Sequence, residues 1–101
     1  MTSNFAVPVS LKIQYLERKL DEISKSQASL QERNYEFIKT MAHQMKGNAV
    51  NFEFPLLEQL AKSLESAAQS GNLDQMKQIL ADVQKAVNGL LKGLKTASSE
   101  A

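Results

Sequence analysis

The amino-acid sequence predicts an all-α fold, an antiparallel up-down-up-down four-helix bundle. Three observations carry that prediction. Apolar residues recur at spacings of three and four in four separate stretches, the pattern of a one-sided helix. β-branched and aromatic residues rarely cluster, so strand signals are weak. The stretches are separated by short segments holding Asn34, Pro55, Gly71 and Asn72, residue types that start or stop helices. Connections that short join antiparallel neighbours.

Residues 1–9 read as an N-terminal tail, extended where Pro8 restricts the chain. Ile13, Leu16, Leu20, Ile23, Gln27 and Leu30 then form a stripe, with charged residues on the other faces, and predict a helix over about residues 10–31. Gln27 is the one polar member of that stripe. Glu32-Arg33-Asn34 interrupts the pattern, and Asn34 suits the N-cap of a second helix. That helix carries Ile38, Met41, Ala42, Met45, Ala49 and Phe52 on one side. Pro55 fits the first turn of a third helix, whose buried face is expected to be Leu56, Leu57, Leu60, Ala61, Leu64, Ala67 and Ala68. Gly71 is a natural C-terminal cap. Asn72 suits the N-cap of the fourth helix, and Gln75 three residues later completes a capping box. Met76, Leu80, Val83, Val87, Leu90 and Leu94 continue the period. Gly89 and Gly93 each weaken the last turns by about 1 kcal/mol relative to alanine. The bundle is therefore expected over residues 10–95, with 96–101 as a disordered tail. Met41, Met45 and Met76 read as packing residues, and Tyr35, Phe37 and Phe52 as closures of the bundle ends.

A chain of 101 residues supports one domain with a single modest core. Twelve basic residues against eleven acidic leave a net charge of +1, which argues against a nucleic-acid binder resting on a basic patch. The absence of cysteine excludes disulfides and thiolate metal sites, and a single histidine excludes any site needing two. No apolar run is long enough to span a membrane, and the first residues lack a signal pattern, so a cytoplasmic location is expected.

The lone histidine, His43, lies in Met41-Ala42-His43-Gln44-Met45-Lys46-Gly47-Asn48. At about 100° per residue it falls roughly 140° from the centre of the second apolar stripe, and Gly47 about 180° away. Lys39 and Lys46 share its flank. His43 is therefore expected to face water. An unperturbed imidazole is mostly neutral at pH 7, and a neutral ring nitrogen can accept a phosphoryl group. A lysine at this spacing can neutralise phosphate charge, with an attraction of roughly 4 kcal/mol at about 4 Å in an effective dielectric near 20. A glycine there leaves room for a partner to approach.

His43-Gln44-Met45-Lys46-Gly47 resembles the His-x-x-Lys-Gly motif of histidine-containing phosphotransfer (HPt) domains, placed as in that family on the second helix of a bundle. Asn34-Tyr35, Ala42, Phe54-Pro55-Leu56-Leu57, Leu64-Glu65-Ser66-Ala67 and Gly71-Asn72 extend the likeness, which covers roughly residues 17–91. The resemblance implies a phosphoryl carrier and not an enzyme, with His43 as phosphoacceptor, Lys46 stabilising the phosphorylated form and Gly47 keeping the approach open. Some members have a polar residue at the position of Glu65 that hydrogen-bonds the imidazole. Glu65 is thus a possible orienter, with an ordinary solvated glutamate as the equal alternative. Glu53 departs from the glycine common before the third helix, which leaves the shape of that turn open. Asn48 replaces the more usual Ser or Ala, with or without a hydrogen bond near the phosphate.

The expected partners are a response-regulator receiver domain and/or a hybrid histidine kinase, with no nucleic acid and no membrane, and a monomeric state. The resemblance gives the chain no cofactor of its own and places Mg²⁺ on the receiver. The rival reading is a helical adaptor that binds a signalling partner without phosphotransfer. A hydrolase built on His43 and Glu65 lacks any source for a deep pocket or an oxyanion hole.

Overall fold

The computed structural model describes residues 7–100, with side chains described for residues 7–97. Four helices follow in order: α1 Val9–Gln31, α2 Tyr35–Asn51, α3 Pro55–Ser70 and α4 Leu73–Glu100. Neighbours in the chain pack together, α1 also packs on α4, and the diagonal pairs α1–α3 and α2–α4 do not meet among the described residues. This closed ring with two- or three-residue connections is a four-helix bundle and fits the up-down-up-down order. The longest helix, α4, has 28 residues and accounts for the 44 Å long axis. Among the described residues no helix is long and apolar enough to cross a membrane. Most of the expected tail, residues 1–6, lies outside the described residues; α1 begins directly after Pro8.

The core follows the four stripes, with three local differences. In α1 the buried line is Leu16, Lys19, Ile23, Ser26 and Leu30, joined by Tyr15 and Ser29, and Gln27 is exposed. Burying the Gln27 amide would demand several hydrogen-bond partners, whereas Ser26 satisfies its hydroxyl locally by donating to the Glu22 carbonyl at 2.8 Å. Lys19 is buried beside Glu22, with its ammonium 5.0 Å from the centre of the Tyr15 ring. In α3, Leu56 is 57% exposed, because it sits about 100° around the helix from the fully buried Leu57. In α4, Leu91 is buried, while Leu90 and Leu94 are half-buried. The helix continues to Glu100, past residue 95 where the sequence pattern ends, and Lys95 bridges to Glu17 on α1 at 3.0 Å.

All three connections use one hydrogen-bonding device. At the end of α1, Asn34 N–H donates to the Ser29 carbonyl at 2.8 Å; after α2, Phe54 N–H donates to Ala49 at 2.8 Å; after α3, Asn72 N–H donates to Ala67 at 2.9 Å. Such six-to-one bonds define the Schellman turn, which needs a left-handed residue one place earlier. Those residues are Arg33 at φ 59°, Glu53 at φ 64° and Gly71 at φ 70°. Only Gly71 has a residue type suited to that conformation. Asn34 also starts α2, its side chain accepting from Phe37 N–H at 3.4 Å. Asn72 starts α4 by accepting from Gln75 N–H at 3.1 Å, one half of the expected capping box; the reciprocal bond from the Gln75 side chain is not among those formed by the described residues. Pro55 occupies the first turn of α3 as expected.

Tyr15, Phe52 and Phe54 stack at the α2–α3 end, with Tyr15 and Phe52 centroids 4.3 Å apart. Burial raises the Tyr15 pKa above its ordinary value. Tyr35 and Phe37 pack half-buried at the start of α2.

A left-handed non-glycine residue costs about 1–2 kcal/mol, part of which glycine returns through its freer unfolded chain. The Lys12–Glu53 contact is 3.7 Å long with Glu53 largely in solvent, and it adds little. Glu53→Gly should therefore stabilise the fold by about 0.5–1 kcal/mol and raise the thermal midpoint by a few degrees. An unchanged or lower midpoint in a melting experiment would contradict this account of the turn.

Candidate functional site

Asn34 fixes where α2 begins, and the Ile38, Ala42, Met45 and Ala49 face holds the helix against its neighbours, so the rotation of α2 is set by its core side. That rotation turns His43 outward, with 68% of its side chain exposed. On α3, Ala61, Leu64 and Ala68 are buried, and Glu65 lies at the edge of that face with 20% exposure. The two helices pack along this seam, and the outward edges of both converge on Glu65.

Glu65 is the hub. Its Oε2 lies 3.0 Å from His43 Nδ1, and its Oε1 accepts from Lys46 Nζ at 2.8 Å. The Lys46 hydrogen bond, followed by the one to His43, holds the Glu65 carboxyl below its ordinary range. The group is therefore ionised at neutral pH. An ionised carboxylate only accepts hydrogen bonds, so the hydrogen between it and the ring belongs to Nδ1. In the neutral ring the lone pair then sits on Nε2, which has no hydrogen-bond partner among the described residues.

Sequence reasoning paired Glu65 with His43 and reserved Lys46 for phosphate. The structure brings all three together, and the direct Lys46–Glu65 bond is the part that the sequence reading missed. Its signal was present: Lys46, three residues after His43, falls between His43 and the core stripe on the side that α3 occupies.

Gly47 lies one turn beyond His43 on the exposed face, and a Cβ built there meets nothing within 4 Å. No internal packing requires a glycine at this position. Val50 continues the same face, 55% exposed. Lys39 is half-buried one turn before His43. Asn48 does not join this group. Five residues from His43 and about 140° around the helix, it lines a groove against α1 with Tyr15, Lys19 and Gln44. The surface grooves lie between α1 and α4, α3 and α4, and α1 and α2. His43 lines none of these, and its ring stands largely exposed to solvent.

Because the Glu65 pKa is depressed in the folded state, its contribution to stability is complete above the ordinary value of 4.5 and fades as pH falls through the lower folded pKa. Carboxyl NMR should show Glu65 titrating below 4.5. Glu65→Gln should flatten the acid limb of the melting-temperature profile in that window. An ordinary titration midpoint, or an unaltered acid limb, would count against the hub.

A sequence model described as Hpt domain matches residues 10–96, which is most of the chain. No match was found among curated proteins or among solved structures. The matched segment spans all four packed helices and contains His43, Lys46, Gly47 and Glu65. The chain belongs to the Hpt domain family.

Proposed function

We propose that the protein is a phosphorelay intermediate that accepts a phosphoryl group on His43 and passes it to or from the aspartate of a response-regulator receiver domain. Family membership implies phosphotransfer in two-component signalling, by modules that carry phosphoryl groups and meet receiver domains or kinases. The observation that carries the finer reading is the exposed imidazole whose Nδ1–H is held by Glu65, leaving Nε2 free on an open face.

The chemistry follows from that arrangement. The Nε2 lone pair forms a bond to phosphorus as the bond from phosphorus to the donor aspartate oxygen breaks, and the carboxylate leaves. No proton has to move: Nδ1 keeps its hydrogen, and the anionic Glu65 offsets the positive charge that the ring gains. Lys46 stands one helical turn away as a cation for the phosphoryl oxygens. Gly47 leaves the approach free of a side chain. The partner supplies the acidic pocket and the Mg²⁺ that phosphoryl transfer uses. An exposed histidine suits a reaction in which another protein closes over it. Both partners would act in the cytoplasm, with this chain as a monomer.

His43→Gln should leave stability within about 0.5 kcal/mol, as expected for an exposed position, and abolish acid-labile phosphorylation by a competent partner. Undiminished phosphate incorporation would sink the assignment. Receiver binding without any transfer to wild-type His43 would favour an adaptor.

Gly47→Ala separates packing from approach. It should stabilise the helix by about 1 kcal/mol, yet slow transfer by roughly 10- to 100-fold through misplacement of the partner. Melting curves and rapid-quench transfer rates measure the two effects, and an unchanged rate would remove Gly47 from the site.

A further inference from the structure

The α1–α4 side of the bundle lies opposite the α2–α3 side that carries His43 and Glu65. Towards the end bearing the α1–α2 and α3–α4 turns, a groove of about 440 Å³ opens between α1 and α4. Leu73 and Ala81 give it exposed apolar surface above the buried Leu30 and Leu80, the Gln27 amide lies along it, and Arg33 and Lys77 supply its charge. Its volume falls within the range of about 300–1,000 Å³ usual for small-ligand clefts.

Three observations indicate what would fill it. Gln27 stands in the first apolar stripe but is exposed, since α1 buries Ser26 and Ser29 instead. Its charge has one sign, because no acidic residue lines it. Neither Arg33 nor Lys77 forms an ion pair among the described residues, and the sequence neighbours Glu32 and Asp74 are exposed outside the lining. Finally, Arg33 holds a left-handed backbone position at φ 59° that glycine would occupy more easily. An apolar trough with two uncompensated cations at its margin complements a molecule with an aliphatic body and one anionic head.

We propose that this groove binds a single-chain aliphatic carboxylate. Its chain lies against Leu73 and Ala81, its carboxylate meets Arg33 and Lys77, and Gln27 offers a further donor.

The test uses the isotope-labelled full chain and sodium decanoate below its micelle concentration, with acetate and uncharged decyl maltoside as comparisons. Decanoate should give saturable NMR shifts confined to the surroundings of Gln27, Leu30, Leu73 and Lys77. Acetate should give none, and decyl maltoside should bind at least about tenfold more weakly, in line with the loss of a charge-assisted hydrogen bond. Arg33→Gly, a change the turn accommodates, and Lys77→Gln should each weaken decanoate by about tenfold while leaving decyl maltoside unaffected. His43→Gln should bind decanoate as the wild type does, which keeps this site separable from phosphotransfer. Equal binding of the uncharged detergent, shifts spread over the His43 face, or no saturation would each overturn the proposal. So would an acidic amphipathic peptide that occupies the groove where decanoate does not.

Discussion

The close packing of α2 on α3 is the constraint on which the site depends. Ala42 and Ala49 on α2, and Ala61 and Ala68 on α3, are buried with little bulk to separate the helix axes. Interaxial distance follows the size of the side chains at the contact. A short glutamate side chain can then reach from one helix to both a histidine and a lysine on the other.

Sharing one carboxylate between a ring and an ammonium also solves an electrostatic problem. A histidine at an open surface rotates freely and samples both tautomers, so it is a poorly aimed nucleophile. Burying it would fix the ring but hide it from a protein partner. Here the ring stays exposed while its inner nitrogen is anchored, and Lys46 further favours the charged form of the anchor. Orientation is achieved without loss of access.

Much of this was legible in the residues because it rests on local rules. Asn34, Pro55, Gly71 and Asn72 sit at the helix ends they mark, and the angular position of His43 follows from helical periodicity alone. What escaped depends on choices between helices. Whether α1 buries Gln27 or turns slightly to bury Ser26 depends on which polar group can be satisfied when buried, which a stripe of apolar letters does not encode. Ser26 achieves this within its own helix by donating to the Glu22 carbonyl. Leu56 looked buried because it adjoins Leu57, yet one residue of rotation puts it in water. Glu53 takes up the left-handed conformation of a glycine because the Phe54-to-Ala49 bond and the stacked aromatic end hold the turn around it. The Lys46–Glu65 bond required knowing how near α3 comes.

On the proposed role of His43, the bond between Glu65 and Nδ1 would also decide regiochemistry. Phosphohistidine exists as two isomers that differ in hydrolytic lifetime and in the reagents that recognise them. A ring whose inner nitrogen is occupied by a carboxylate offers only the outer one, so the protein should carry the τ isomer. On that proposed role, a contact of 3.0 Å would thus select which chemical species the protein accumulates.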